Sequence, residues 1–318
     1  MSSIILSTGS YLPARILTND DLSKMVDTND EWIRERTGIT QRHIAADGEN
    51  TSDMAIKAAE RALKASGLNI KDIDGIVVGT STPDTTMPSV ATKVQAGLGM
   101  THGAAVDVAA ACTGFIYALS VAHGWIVTGM CKNVIVIGAE CMSRIVDWND
   151  RTTCILFGDG AGAVVLSKSD DESRGIQAIT LQADGQFGSL LNTDGGICST
   201  KTAGHLHMEG QEVFRHGVEK MSAVTVDTLA RVGKTLEQVD WVVAHQANAR
   251  MITSIGRQLK LPKDKSIVTV DRHANTSAAS IPLALDAAVA DGRIKKGQLV
   301  AMPALGAGLT WGCCVILW

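Results

Sequence analysis

The sequence predicts an α/β protein assembled from two similar halves. Three observations carry that prediction. First, segments 61–80 (RALKASGLNIKDIDGIVVGT) and 227–246 (DTLARVGKTLEQVDWVVAHQ) pair Leu63 with Leu229, Gly67 with Gly233, Asp74 with Asp240 and Val77 with Val243. All four pairs share one offset of 166 residues (229 − 63). Second, each segment reads as a helix, a glycine stop, a connection ending in Asp, and a β-branched strand largely buried under helices. Third, 31 glycines stand against six prolines, which favours tight turns and close backbone approaches over linkers.

The elements follow in parallel order. In the first half, DGIVVGT leads through a loop and helix to the strand AAVDVAAAC. A helix with Phe115, Leu119, Ala122 and Ile126 at helical spacing comes next, then the strand NVIVIG. GDGAGAVVLS (158–167) reads as a tight turn entering a strand; a dinucleotide fingerprint would lead into a helix. In the second half, NARMITSIGRQLK is a helix, SIVTVDRHAN a strand, SIPLALDAAVADG a helix and QLVAMPA a strand. LGAGLTWG then turns into the final strand CCVILW. The boundary between halves is placed at 170/171, giving residues 1–170 and 171–318.

Composition narrows the function classes. Of 318 residues, 45% are hydrophobic and 19% charged, enough for a large core. A net charge of −4 gives no reason to expect nucleic acid as a partner. Seven cysteines in odd number, without a CxxC pair, fit neither a disulfide framework nor a zinc site and point to a reducing cytoplasm. The first residues lack a signal-peptide pattern, and no apolar run approaches the length of a membrane span. His205 and His207 lack a third ligand at useful spacing, so no metal is expected.

Three positions past strands attract attention, because ligand sites in open α/β sheets gather at the carboxyl ends of strands. Cys112 precedes a helix start, whose unpaired N–H groups favour thiolate; the stretch fits a packed core thiol as well as a nucleophile. His245 fits a hydrogen-bond donor or a turn histidine. Asn275 fits a neutral donor or a plain N-cap, with His273 a competing candidate two residues earlier. The segment DTNDEWIRERTG offers Trp32 and guanidinium groups for a nucleotide, or simply an exposed amphipathic helix. The glycine-rich turn 305–312 has backbone N–H groups suited to an oxyanion hole.

Together, GSYLP, TNDEWIRERTGI, AAACTGF, FGDGAGA, HQANAR, HANTSAAS and TWG resemble the β-ketoacyl-acyl carrier protein synthase III family, the initiating condensing enzymes of type II fatty acid synthesis. The resemblance implies a thiolase-like αβαβα five-layer sandwich, usually a homodimer. It also implies decarboxylative condensation of a short acyl-CoA, acetyl-CoA foremost, with malonyl-acyl carrier protein, and no metal or resident cofactor. Cys112 would carry the acyl group, and His245 and Asn275 would hydrogen-bond the malonyl thioester oxygen. The Cys112 and Ala307 N–H groups would form the oxyanion hole. Thr28, Trp32, Arg36, Arg151, Gly210, Phe214, Ala247 and Asn248 would hold CoA, with Trp32 and Arg151 flanking the adenine. Arg215, Arg250 and Arg257 would meet the carrier protein. Met87 would reach across the dimer to close the acyl pocket, and Leu305 would help to shape it.

The family's usual Phe-Gly-Gly-Gly-Phe is here Leu305-Gly306-Ala307-Gly308-Leu309, which places alanine where glycine-type backbone angles are expected. The same stretch lacks the second cysteine of a degradative thiolase, and Asn275 stands where an elongating synthase has a second histidine. A ketosynthase or acyltransferase of secondary metabolism with a different primer is the alternative reading. A non-catalytic scaffold would need none of Cys112, His245 and Asn275.

Overall fold

The computed structural model describes residues 2–171 and 173–318. Its first sheet contains β1 (Ser2–Tyr11), β2 (Gly75–Gly79), β3 (Ala104–Val108), β4 (Asn133–Cys141) and β5 (Asp159–Ser169), in the order β1-β5-β4-β2-β3. β2 runs parallel to β3 and β4, and β5 antiparallel to β4 and β1. The second sheet contains β6 (Gly175–Ala183), β7 (Trp241–Val242), β8 (Leu299–Gly306) and β9 (Thr310–Leu317), in the order β7-β8-β9-β6. β7 is parallel to β8, and β9 antiparallel to both its neighbours.

The 166-residue repeat in sequence is thus a repeat in topology, since β6-β9-β8-β7 retraces β1-β5-β4-β2. Its marker residues do equivalent jobs. Gly67 and Gly233 take left-handed φ of +73° and +64°, where a Cβ is penalised. Asp74 accepts from the N–H groups of Lys132 and Asn133 and so pins the start of β4 to β2. Asp240 accepts from the Leu299 N–H and pins β8 to β7.

One expected strand is absent. SIVTVDRHAN forms only a single parallel bridge, Ser266 to Val242, followed by a short helix Val270–His273. The buried Gln246 side chain takes the ladder's place. Its Oε1 accepts from the Thr269 and Val270 N–H groups, and its Nε2 donates to the Ala244 and Ile267 carbonyls. Backbone groups satisfied in this way have no need of a further strand.

The main helices are α1 (Asp30–Thr37), α2 (Thr51–Ser66), α3 (Val90–Gly97), α4 (Gly114–Val127), α5 (Gly210–Ala230), α6 (Ala249–Gln258) and α7 (Ser280–Ala290). α2 buries Met54, Ala55, Ala58, Ala59 and Ala62 against the outer face of the first sheet, with α3 beside it. α4 and α7 are apolar almost all round because they lie between the sheets. Phe115, Ile116, Leu119, Ile281 and Leu285 pack there against Val136 and Val164 on one side and Val300, Met302 and Cys314 on the other. Each such fully buried Leu or Ile contributes about 1.5–3 kcal/mol. α5 and α6 cover the far face of the second sheet. The result is five layers, αβαβα. Among the described residues no helix is long and apolar enough to cross a membrane.

Candidate active site

Cys112 sits in the turn Ala111–Thr113 between β3 and α4. Ala111 holds φ at +45°, a strained value for a residue with a Cβ. The β8–β9 hairpin presses onto this turn. A Cβ on Gly306 would lie 2.7 Å from the Cys112 amide nitrogen, so only glycine fits. The Thr310 hydroxyl donates to the Ala110 carbonyl (3.2 Å), and the Thr113 hydroxyl to the Thr310 carbonyl (3.1 Å). The expectation that the helix start lowers the thiol pKa is overturned. Burial pushes it up to about 12, opposed by the Ser277 side chain and reinforced by the charge of Glu140. The resting sulfur is therefore a neutral thiol.

His245 extends the second sheet, its N–H donating to the Pro303 carbonyl at 2.9 Å. Its Nδ1 lies 2.7 Å from the Ser280 hydroxyl at the start of α7, and that oxygen also accepts the Gln246 N–H at 3.2 Å. Among the described residues the Ser280 hydroxyl has no other acceptor within hydrogen-bond distance, so its proton goes to Nδ1 and the ring proton resides on Nε2. Burial lowers the His245 pKa to about 4, leaving a neutral imidazole with one N–H to offer.

Asn275 is pinned by two backbone hydrogen bonds. Its N–H donates to the Leu156 carbonyl (2.9 Å), and its carbonyl accepts the Gly158 N–H (3.0 Å). Its side-chain Oδ1 accepts the Ser277 N–H at 2.9 Å, which leaves Nδ2 as the donor available to a bound group. The two sequence readings are therefore compatible: the oxygen caps a turn and the nitrogen remains. His273, the competitor, lies in the short helix before it and borders neither cavity described next.

A narrow cavity of about 80 Å³ brings Cys112, His245 and Asn275 together. Gly210, Phe214, Ala247, Asn248 and Leu305 line the same cavity. Cys112 also borders a second cavity of about 220 Å³, walled by Met142, Ile145, Phe157, Leu206 and Ala307. The sulfur thus stands between a slot that holds the donors and an apolar chamber. Leu305 lines the slot with His245 and does not border the chamber. Met87 lies on the β2–α3 loop, 79% exposed, and borders neither cavity within one chain. Beside the chamber, sharing Ser81, Ile145 and Thr193 with it, opens a hollow of about 850 Å³.

Ala307 borders the chamber with Cys112, and its backbone does not enter the left-handed region. The turn places that burden on Gly308, at φ +134°, so the alanine is unstrained. Farther out, the guanidinium groups of Arg36 and Arg151 lie 4.4 and 5.1 Å from the Trp32 ring centroid. Arg151 also donates to the Asp27 carbonyl at 2.9 Å. A base flanked by Trp32 and Arg151 needs about 7 Å between them, two van der Waals contacts, so Arg151 must swing outward to admit one. The Thr28 hydroxyl nearby is buried with no partner. Arg215 is paired with Glu212 at 2.6 Å, whereas Arg250 and Arg257 are exposed and lack ion-pair partners among the described residues. The seven cysteines are free thiols. Cys313 and Cys314 are buried in β9, away from both cavities, so the site has no second cysteine. Among the described residues, no group of three His, Cys, Asp or Glu side chains is disposed to hold a metal ion.

The family model described as 3-oxoacyl-[acyl-carrier-protein] synthase III matches residues 106–185, and that of its C-terminal part matches residues 229–318. A β-ketoacyl-[acyl-carrier-protein] synthase III of Paramagnetospirillum magneticum is 56% identical over 318 residues, 99% of this chain and 98% of that protein. One of Rhodospirillum centenum is 54% identical, covering 100% and 99%. The chain belongs to the β-ketoacyl-[acyl-carrier-protein] synthase III family. The crystal structure of the 3-oxoacyl-[acyl-carrier-protein] synthase III of Aquifex aeolicus matches at a TM-score of 0.95 and 45% identity, covering 99% of this chain and 100% of that one. The five layers are those of the thiolase fold, and the chain is a condensing enzyme of the acyltransferase type. Four groups around these cavities were given no part in a site by their sequence context: Ser277, Ser280, Gln246 and Glu140. Glu140 had a visible signal, an acid at the carboxyl end of an otherwise apolar strand.

Proposed function

We propose that this chain performs the reaction for which its family is named, starting from a short acyl-CoA and malonyl-acyl carrier protein. The Cys112 sulfur attacks the acyl thioester and CoA leaves. Malonyl-acyl carrier protein then enters the slot and loses CO₂, while His245 Nε2–H and Asn275 Nδ2–H stabilise the negative charge on its thioester oxygen. The resulting carbanion attacks the Cys112 thioester and yields a β-ketoacyl carrier protein. Neutral donors in a dry site stabilise such an oxygen without neutralising the carbanion by proton transfer. The observation that carries this reading is the convergence of Cys112, His245 and Asn275 on one narrow cavity.

In this reading the N–H groups of Cys112 and Ala307 hold the oxyanion of acyl transfer. Thr28, Trp32, Arg36 and Arg151 receive the nucleotide end of CoA, and Gly210, Phe214, Ala247 and Asn248 its pantetheine arm. Arg250 and Arg257, with Arg215 less free, meet the acidic carrier protein. The active form is a cytoplasmic homodimer in which Met87 of each protomer closes its partner's acyl chamber; the exposed Met87 loop and the open 850 Å³ hollow support this. Residues 1–170 and 171–318 are the two duplicated halves. The reaction calls for no metal or resident cofactor.

A synthase III assay supplied with acetyl-CoA and malonyl-acyl carrier protein tests the reading. Acetoacetyl carrier protein and CO₂ should form, and Cys112→Ala should abolish condensation. An active Cys112→Ala variant would overturn it.

A further inference from the structure

The thiol of Cys112 is pushed up to about 12, and neutral His245 is a poor base. Some other group must receive the proton when the sulfur attacks. Behind Cys112, at the carboxyl end of β4, lies the fully buried carboxyl of Glu140. It accepts hydrogen bonds from the hydroxyls of Thr80 and Thr82, from the Ser81 N–H, and from the Ser277 hydroxyl at 3.1 Å. Four donor groups describe an anion, yet Glu140 has no ion-pair partner among the described residues. Ser277 stands between the two ends of this path: it donates to Glu140, borders the chamber with Cys112, and its side chain lowers the pKa of the Cys112 thiol. Ser277 and Ala111 hold strained φ of +49° and +45°, so the backbone is bent on both sides of the contact.

We propose that Ser277 and Glu140 form a proton path for Cys112 and that Glu140 stores the thiol proton between the two half-reactions. This rests on the condensing reading above. As the sulfur–carbon bond forms, the thiol proton passes to Ser277 Oγ and the Ser277 proton passes to Glu140 Oε1. The bond from carbon to the CoA sulfur breaks, and CoA leaves as a thiolate that takes a proton from water. When the carbanion later attacks the Cys112 thioester, the sulfur regains its electron pair and the stored proton returns through Ser277. Each cycle restores Cys112 and Glu140.

The electrostatics agree. Burial raises Glu140 and the four donor groups lower it, leaving a pKa of about 7. The titratable groups facing it are the thiols of Cys112 and Cys141, and Cys141 in turn feels Asp159 and Arg144.

Two readouts test the path. Rapid mixing of acetyl-CoA with the wild-type protein in dilute buffer above pH 7, with a pH indicator, should show a transient proton uptake at the rate of acylation, because the CoA thiolate takes a proton from water while Glu140 holds the thiol proton, before Glu140 re-equilibrates with solvent. Acylation rates should rise with pH through a limb near 7. Glu140→Gln should acylate at least about 100-fold more slowly, without that limb and without proton uptake. Ser277→Ala, which leaves the other donors to Glu140 in place, should show the same loss and guards against a folding defect in the first variant. Acylation of the wild type without that transient uptake, or variants that keep its rate and pH profile, would overturn the proton path alone. A wild-type protein that is never acylated would instead overturn the condensing reading.

Discussion

The Nδ1 atom of His245 lies 2.7 Å from the Ser280 hydroxyl, and that contact decides which nitrogen offers a proton to the slot. Ser280→Ala removes the partner that holds the proton on Nε2. The loss of one such hydrogen bond is worth about 1 kcal/mol, so condensation should slow by about fivefold. Acylation of Cys112 should be little affected, and Ser280→Thr should restore condensation. Separate rate measurements of the two half-reactions check this; equal slowing of both would contradict the assignment.

Stability should carry the signature of a buried neutral histidine. The ordinary pKa of 6.5 is lowered to about 4 in the fold. The unfolded chain binds this proton near 6.5 and the folded chain only near 4. The stabilisation is present above 6.5 and is lost as pH falls to about 4. The full effect is about 3 kcal/mol. His245→Gln takes up no proton, so its stability relative to wild type should rise as pH falls through that window. Urea unfolding at several pH values measures the difference; a constant difference would contradict the burial argument.

The proposed role of Trp32 in receiving the nucleotide of CoA should be read in KM. Trp32→Ala removes the ring on which Arg36 and Arg151 lie, and should raise KM for acyl-CoA several-fold with kcat nearly unchanged. Steady-state kinetics with varied acyl-CoA test it, and a fall in kcat at constant KM would place Trp32 elsewhere in the cycle.

Acyl length should follow the chamber of about 220 Å³ and not Leu305. Leu206→Ala widens the chamber and should improve longer primers relative to acetyl-CoA by about 10-fold or more, the value of one or two methylenes. Competition between primers, scored by kcat/KM, measures the ratio. A stronger length effect from Leu305→Ala would reverse the assignment.

Much of this was legible in the sequence, for identifiable reasons. Local rules located the helices and the paired Gly and Asp markers, since capping and strand chemistry act over a few residues. The offset of 166 announced the topological repeat because both halves fold by the same contacts. The missing strand at 266–269 was not legible, since it depends on Gln246, about 20 residues away, satisfying that backbone. The Cys112 pKa was not legible either: a helix start is a local feature, whereas desolvation and Glu140 come from the packing of distant segments. Ser280 and Ser277 read as helix-start residues, which they are. Only the fold reveals that one also orients His245 and the other joins Cys112 to Glu140.

The most direct test is intact-protein mass spectrometry after brief incubation with acetyl-CoA, followed by malonyl-acyl carrier protein. The account predicts one acetyl group on Cys112, discharged on addition of the malonyl carrier protein with release of CO₂ and formation of acetoacetyl carrier protein. A folded protein whose Cys112 stays unmodified, or an acetyl group that malonyl carrier protein cannot discharge, would contradict it.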